Sequence, residues 1–155
     1  MIRMVLSAAF TIAAVCAVMA LGAEASAKAA VELTPKLVDP LVRVQVALAA
    51  DKVDTVKADA AEIAKAAEAL GEPAKPVVAA AKQLESASDL SSARKAFGQL
   101  TDAVFAYAKA TGATMPAGVK TVYCPMVNKS WLQKGDAVRN PYYGSEMLDC
   151  GTVKQ

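Results

Sequence analysis

ADKVDTVKADAAEIAKAAEALG (residues 50–71) places its apolar side chains three or four positions apart. This spacing is the period of one face of an α-helix. The apolar positions are Val53, Val56, Ala60, Ile63, Ala67 and Leu70, and the outward positions are Lys57, Asp59, Glu62 and Lys65. Gly71 follows in the usual place of a helix-ending glycine. The stretch therefore predicts an amphipathic helix that begins near Asp51 and ends at Gly71.

The same period continues on both sides and predicts three more helices. One begins at Thr34-Pro35, a second follows Pro73, and a third is capped by Asp89 and stops near Gly112. Their apolar positions are Leu37, Leu41, Val44 and Leu48, then Val77, Ala81 and Leu84, then Ala93, Phe97, Leu100, Val104 and Ala108. The sequence leaves open whether residues 49–51 form a tight turn or continue one longer helix. Short connections favour antiparallel neighbours, so residues 35–112 predict an all-α fold, an up-and-down four-helix bundle.

Residues 113–155 break the helical pattern. Prolines and glycines interrupt this segment too often for a helix longer than a turn or two. They are Pro116, Gly118, Pro125, Gly135, Pro141, Gly144 and Gly151. The segment also holds the only tryptophan and three of the four tyrosines, which a disordered tail would lack. We expect an irregular, aromatic-rich loop segment of the same domain, packed on the bundle.

The N-terminus resembles an export signal. Arg3 is followed by an apolar run from Met4 to Leu21, and Ala25-Ser26-Ala27 is a small-x-small cleavage site. A membrane helix is the alternative, but the run lacks a basic stop-transfer flank. We expect a signal peptide at residues 1–27, a short tail at 28–34 and a periplasmic or secreted protein with no stable membrane insertion after cleavage.

The charge pattern excludes one class of partner. The net charge of the full chain is only +2, and the basic residues form no stripe or cluster. A nucleic-acid-binding surface needs such a basic footprint, so we expect no nucleic acid.

Two cysteines, Cys124 and Cys150, remain after the predicted cleavage. In an oxidising compartment a disulfide between them is the default, and closing that loop would contribute roughly 3.5 kcal/mol in the chain-entropy model. The competing interpretation is a metal site that joins Cys124 and Cys150 with Met126 and Met147. The chain has no histidine, and thiolate with thioether selects copper(I) or silver(I) rather than zinc. A pair of free thiols is the third possibility.

An enzyme is not expected. No histidine is available as a general base, and the cysteines are not spaced as Cys-x-x-Cys. Ser130 and Ser145 stand in no activating motif.

Four short runs mark the C-terminal segment: YCPM (123–126), WLQKG (131–135), RNPYYG (139–144) and MLDCG (147–151). Together they closely resemble the C-terminal signature of a bacterial exported family of unknown function, in which an alanine-rich helical region precedes the signature. Members of that family occur alone or joined to periplasmic adaptor subunits of copper and silver efflux pumps. The resemblance implies a role in heavy-metal handling, an efflux adaptor as partner, and Cys124, Met126, Met147 and Cys150 as metal ligands. YCPM also resembles a heavy-metal motif in which histidine follows the methionine, where this chain has Val127.

Two functional hypotheses follow. The first is a periplasmic soft-metal binding protein, for copper(I) or silver(I), linked to heavy-metal efflux or tolerance. The second is a non-catalytic structural or interaction module of an efflux system, stapled by a Cys124–Cys150 disulfide.

Overall fold

The computed structural model describes residues 32–154. Within this range the chain forms four α-helices and one three-stranded antiparallel sheet. The helices are α1 (Pro35–Ala49), α2 (Val56–Glu68), α3 (Lys75–Glu85) and α4 (Leu90–Thr111), and the strands are β1 (Val119–Cys124), β2 (Lys129–Lys134) and β3 (Thr152–Lys154). Single 3-10 turns lie at Glu72–Ala74 and Gly144–Glu146. The expected signal peptide, and the expected tail up to residue 31, fall outside the described residues.

The prediction of an all-α fold is wrong, because residues 119–154 build a sheet. The prolines and glycines of this segment lie before β1 or between the strands, so they delimit strands rather than prevent regular structure. Pro125 lies in the turn after β1, for example, and Gly135 directly follows β2. β1 itself reads VKTVYC, which is rich in the β-branched and aromatic residues that strands favour.

The sheet places the ends of its strands next to each other. β2 and β3 pair with opposite sides of β1, which gives the order β2-β1-β3. β1 and β2 form a hairpin in which Cys124 is opposite Lys129, and Asn128 in its turn has a positive φ of 52°. On the other side Tyr123 is opposite Thr152. This register brings the end of β1 beside the residues that immediately precede β3.

The helices do not close into a four-helix bundle. α2 packs against α1 and α3, and α3 packs against α4, but α1 and α4 make few contacts with each other. β2 instead packs against both α1 and α4. In a four-helix bundle α1 and α4 would pack against each other. Here the β1–β2 hairpin occupies that position, with β2 between α1 and α4.

One hydrophobic core joins the helices and the sheet. Trp131 of β2 is completely buried, and its ring meets that of Tyr142 edge to face with centroids 5.8 Å apart. Phe97 of α4 packs on the other side of Tyr142 at 5.9 Å. Trp131 and Tyr142 of the C-terminal segment are therefore core residues shared with the helical layer.

The α1–α2 connection settles the question that the sequence left open. α1 ends at Ala49, Asp51 adopts a positive φ of 57°, and α2 begins only at Val56. Residues 50–55 therefore form a turn, and the helix expected from near Asp51 starts later. Val53 is consequently 38% exposed. The prediction that Asp59 lies on the outward side is wrong, because Asp59 is buried on α2 and its Oδ1 accepts a 2.6 Å hydrogen bond from Arg43 Nε.

None of the helices within residues 32–154 has both the length and the apolar character needed to cross a bilayer.

Candidate site at the Cys124–Cys150 pair

The fold brings the two predicted cysteines into contact. Cys124 is the last residue of β1, and Cys150 lies two positions before β3. Their Sγ atoms are 2.8 Å apart and are not joined by a bond. Cys124 is completely buried, whereas Cys150 is partly exposed. The pair therefore has one inner and one outer sulfur.

The turn after β1 points hydrogen-bond donors at the inner sulfur. The backbone N–H groups of Val127 and Met126 and the Asn140 side chain each act to lower the pKa of Cys124. We call residues 124–127 the Cys124 turn. Pro125 lacks an N–H, and its ring biases Cys124 toward an extended backbone, which suits the end of a strand. Successive N–H groups that converge on one atom form a site that favours negative charge.

These donors determine the protonation of the pair. Burial alone would raise the pKa of Cys124, but hydrogen bonds from Cys150, Val127, Met126 and Asn140 outweigh it, so the pKa of Cys124 is lowered. The pKa of Cys150 is raised, first by its hydrogen bond with Cys124 and then by burial. The opposite directions of the two shifts make Cys124 the more acidic thiol of the reduced pair.

Asn140 holds the two halves of the site together. It is completely buried, and its Oδ1 accepts hydrogen bonds from the backbone N–H of Tyr142 at 2.8 Å and of Tyr143 at 3.3 Å. Its Nδ2 donates to the Cys150 carbonyl at 2.7 Å, and its own N–H donates to Leu148 O at 2.7 Å. One side chain thus fixes the loop that carries Cys150 against the residues that follow Pro141.

Gly151 allows the outer cysteine to approach the core. A Cβ at this position would lie 2.7 Å from the Trp131 ring and 2.9 Å from Val122 Cγ1. Only a residue without a side chain lets the backbone pack this closely on the sheet. The position of Cys150 therefore depends on the glycine that follows it.

A second anchor lies under the sheet. The Tyr142 hydroxyl donates to Ser130 O at 2.8 Å and is 3.0 Å from the Thr101 hydroxyl of α4. Burial raises the pKa of Tyr142, so this group stays a neutral donor. Arg94 of α4 adds a hydrogen bond from Nε to Pro141 O at 3.1 Å. The loop from 140 to 150 is thus attached to α4 as well as to the sheet.

The two predicted methionine ligands lie at the surface beside the cysteines in sequence. Met126 is in the Cys124 turn and is 65% exposed. Met147 is 36% exposed, and its carbonyl accepts a hydrogen bond from the Cys150 N–H at 3.1 Å. The structure thus brings the two cysteine sulfurs together and leaves the thioethers at the surface, without core packing to hold them.

The side chains around the pair limit which metal could bind there. Within residues 32–154 no group of three or more histidine, cysteine, aspartate or glutamate side chains is arranged to hold a metal ion. A structural zinc site needs four such ligands, and calcium needs six or more oxygen atoms. Two adjacent cysteine sulfurs with surface thioethers nearby in the chain fit a soft monovalent ion.

Comparisons with known proteins add nothing to these observations. No protein-family model, curated protein or solved structure matches this chain at a significant level. The resemblance of the four C-terminal runs to an exported family therefore remains an expectation, and the site has to be interpreted from its own geometry.

Sequence reasoning named the cysteines but missed the residues that organise them. Asn140 carries the most connections, and its only sequence signal is that it precedes Pro141, which favours an extended backbone there. The N–H donors of Met126 and Val127 belong to the backbone, so the residue types at these positions do not predict them. Recognising 119–124 as a strand would have placed Cys124 at its end, where such a turn begins.

Proposed function

We propose that this chain is a periplasmic or secreted protein that binds a soft monovalent ion, copper(I) or silver(I), through the reduced Cys124–Cys150 pair. The contact between the two sulfurs carries the proposal. Thiolate sulfur is the donor that selects such ions, and the chain has no histidine to offer instead. The role is binding, without catalysis.

The Cys124 turn supports this proposal through its electrostatics. A metal ligand must be deprotonated, and the N–H groups of Met126 and Val127 stabilise the thiolate of Cys124. One of the two thiols is therefore prepared as a ligand before any ion arrives. The partly exposed Cys150 provides the route by which an ion reaches the buried sulfur.

Met126 and Met147 complete the proposed ligand set. Each lies two or three residues from a cysteine, and each is exposed enough to move without loss of core packing. Thioethers are soft neutral donors that match copper(I) and silver(I). They would add ligands at the surface, where an ion can pass to a second protein by ligand exchange. A periplasmic efflux adaptor is the partner implied by the family resemblance.

A competition titration tests the proposal. Fully reduced protein is titrated with copper(I) against a chelator of known affinity, together with Cys150→Ser and the double variant Met126→Leu, Met147→Leu. We expect one ion per chain, a loss of at least about 100-fold in affinity without Cys150, and about 10-fold without the two thioethers. Met115→Leu is the matched control, because Met115 packs against the core. Reduced protein that competes no better than a thiol-free variant would refute the proposal.

The second candidate is a non-catalytic structural or interaction module with a Cys124–Cys150 disulfide. The contact between the two sulfurs also fits this role, because a bond between them would fix the loop that carries Cys150 to the end of β1. A count of free thiols in protein taken from the export compartment distinguishes the candidates. Complete bridging, with no copper(I) affinity after reduction, would leave only the structural role.

A further inference from the structure

The two sulfurs of the pair differ in access and in surroundings. Cys124 Sγ belongs to a completely buried residue at the end of β1, under the turn that follows it. Cys150 lies on the outer side and is partly exposed. An external reagent therefore reaches Cys150 first. Thiol–disulfide exchange depends on which sulfur can be approached, because the attacking thiolate needs a clear path to it.

The buried position of Cys124 behind Cys150 makes it the leaving group. When a disulfide is attacked, the sulfur that is not attacked departs with the electron pair, and a stabilised thiolate departs faster. Attack at Cys150 Sγ therefore makes Cys124 the departing sulfur, since the two Sγ atoms lie 2.8 Å apart and Cys124 is completely buried.

We infer that Cys124 and Cys150 form a directional thiol–disulfide couple, in which an external dithiol exchanges at Cys150 and Cys124 is the buried leaving thiolate. A thiolate of the external dithiol attacks Cys150 Sγ, the bond between Cys124 and Cys150 breaks, and Cys124 leaves as a thiolate. The second external thiol then attacks the mixed disulfide and releases Cys150 as a thiol. The external dithiol is oxidised to its disulfide, the pair is reduced by two electrons, and the two protons of the dithiol pass to Cys150 and Cys124. The reverse steps, with an external disulfide as the oxidant, form the Cys124–Cys150 bond.

This exchange involves no metal and is independent of the proposed function. The exchange would nevertheless regulate metal binding, because only the reduced pair offers thiolates to an ion. A protein that exchanges thiols and binds no copper(I) would refute the proposed function and keep this inference. A protein that binds copper(I) and shows no preference between its two sulfurs would refute this inference and keep the proposed function.

Trapping the mixed disulfide tests the direction of attack. The oxidised full-length protein is treated with an excess of the monothiol glutathione, quenched in acid and digested, and the adduct is located by mass spectrometry. We expect at least about ten adducts on Cys150 for each one on Cys124. Equal labelling, or a majority on Cys124, would overturn the inference.

Single-cysteine variants provide an independent measurement. The reduced Cys124→Ser and Cys150→Ser proteins are each mixed with glutathione disulfide, and the rate of glutathionylation is followed after circular dichroism has shown that both are folded. The remaining Cys150 should react at least about tenfold faster than the remaining Cys124, because burial keeps the reagent away from Cys124. A faster reaction at Cys124 would refute the inference. If Cys124→Ser does not fold, the trapping experiment on the unmodified chain still decides it.

Discussion

Replacing Asn140 with alanine should strongly destabilise the fold, because this side chain satisfies three backbone groups at once. Without it the N–H groups of Tyr142 and Tyr143 and the carbonyl of Cys150 lose their partners. An unsatisfied buried polar group costs about 1–3 kcal/mol. Because part of this loop can take up water, we expect a total loss of about 3–5 kcal/mol for Asn140→Ala.

Urea unfolding of the reduced protein measures this loss. For a domain of this size the denaturant slope is about 1–3 kcal/mol/M, so the midpoint should fall by about 2 M. Reducing conditions keep a disulfide from masking the effect. Asn140→Asp keeps the Oδ1 acceptor and loses the donor to Cys150, and should fall between the wild type and the alanine variant. Gln99→Ala removes an exposed amide from α4 and serves as the control, with a change within about 0.5 kcal/mol. A loss below about 1 kcal/mol for Asn140→Ala would refute the central role of this residue.

Three further substitutions test the surroundings of the site. Gly151→Ala should cost about 1–3 kcal/mol in thermal or urea unfolding, because the added Cβ would lie 2.7 Å from the Trp131 ring; an unchanged midpoint would contradict this packing. Tyr142→Phe should cost about 1–2 kcal/mol in the same assay through loss of the 2.8 Å hydrogen bond to a β2 carbonyl, and a neutral result would count against that bond. Hydrogen bonds from Ser145 and Arg94 hold the pKa of Asp51 below its ordinary 3.8. The stabilisation that Asp51 contributes is therefore fully present above that value and is lost as the pH falls through the folded pKa. Asp51→Asn should therefore show a smaller difference between urea midpoints at pH 6 and pH 3 than the wild type, and an unchanged difference would exclude this contribution.

The helical half of the fold follows closely from apolar spacing. Asp89 caps α4, with its side chain accepting from Ser92 N at 2.8 Å, and Gly112 ends that helix in a left-handed conformation, as capping residues predict. The buried stripe of Phe97, Leu100 and Val104 also matches the period. Local signals were sufficient here because caps and stripes act within a few residues.

The sheet could not be derived in the same way. β1 and β2 are six residues each, and β3 has only three residues, all exposed, so period-two alternation is too short to outweigh the prolines and glycines around them. The pairing of β3 with β1 joins residues about thirty positions apart, and no local pattern specifies such a contact. The same holds for the candidate site. Composition identified the sulfur atoms, whereas the contact between them depends on the sheet register and on Asn140.

X-ray absorption at the copper edge of reduced protein loaded with one equivalent of copper(I) counts and identifies the atoms bound to the ion. Coordination by the Cys124–Cys150 pair predicts a first shell of sulfur only, which loses one sulfur neighbour in Cys150→Ser. A shell dominated by nitrogen or oxygen, or one that is unchanged in that variant, would contradict the assignment of the Cys124–Cys150 pair as the metal site.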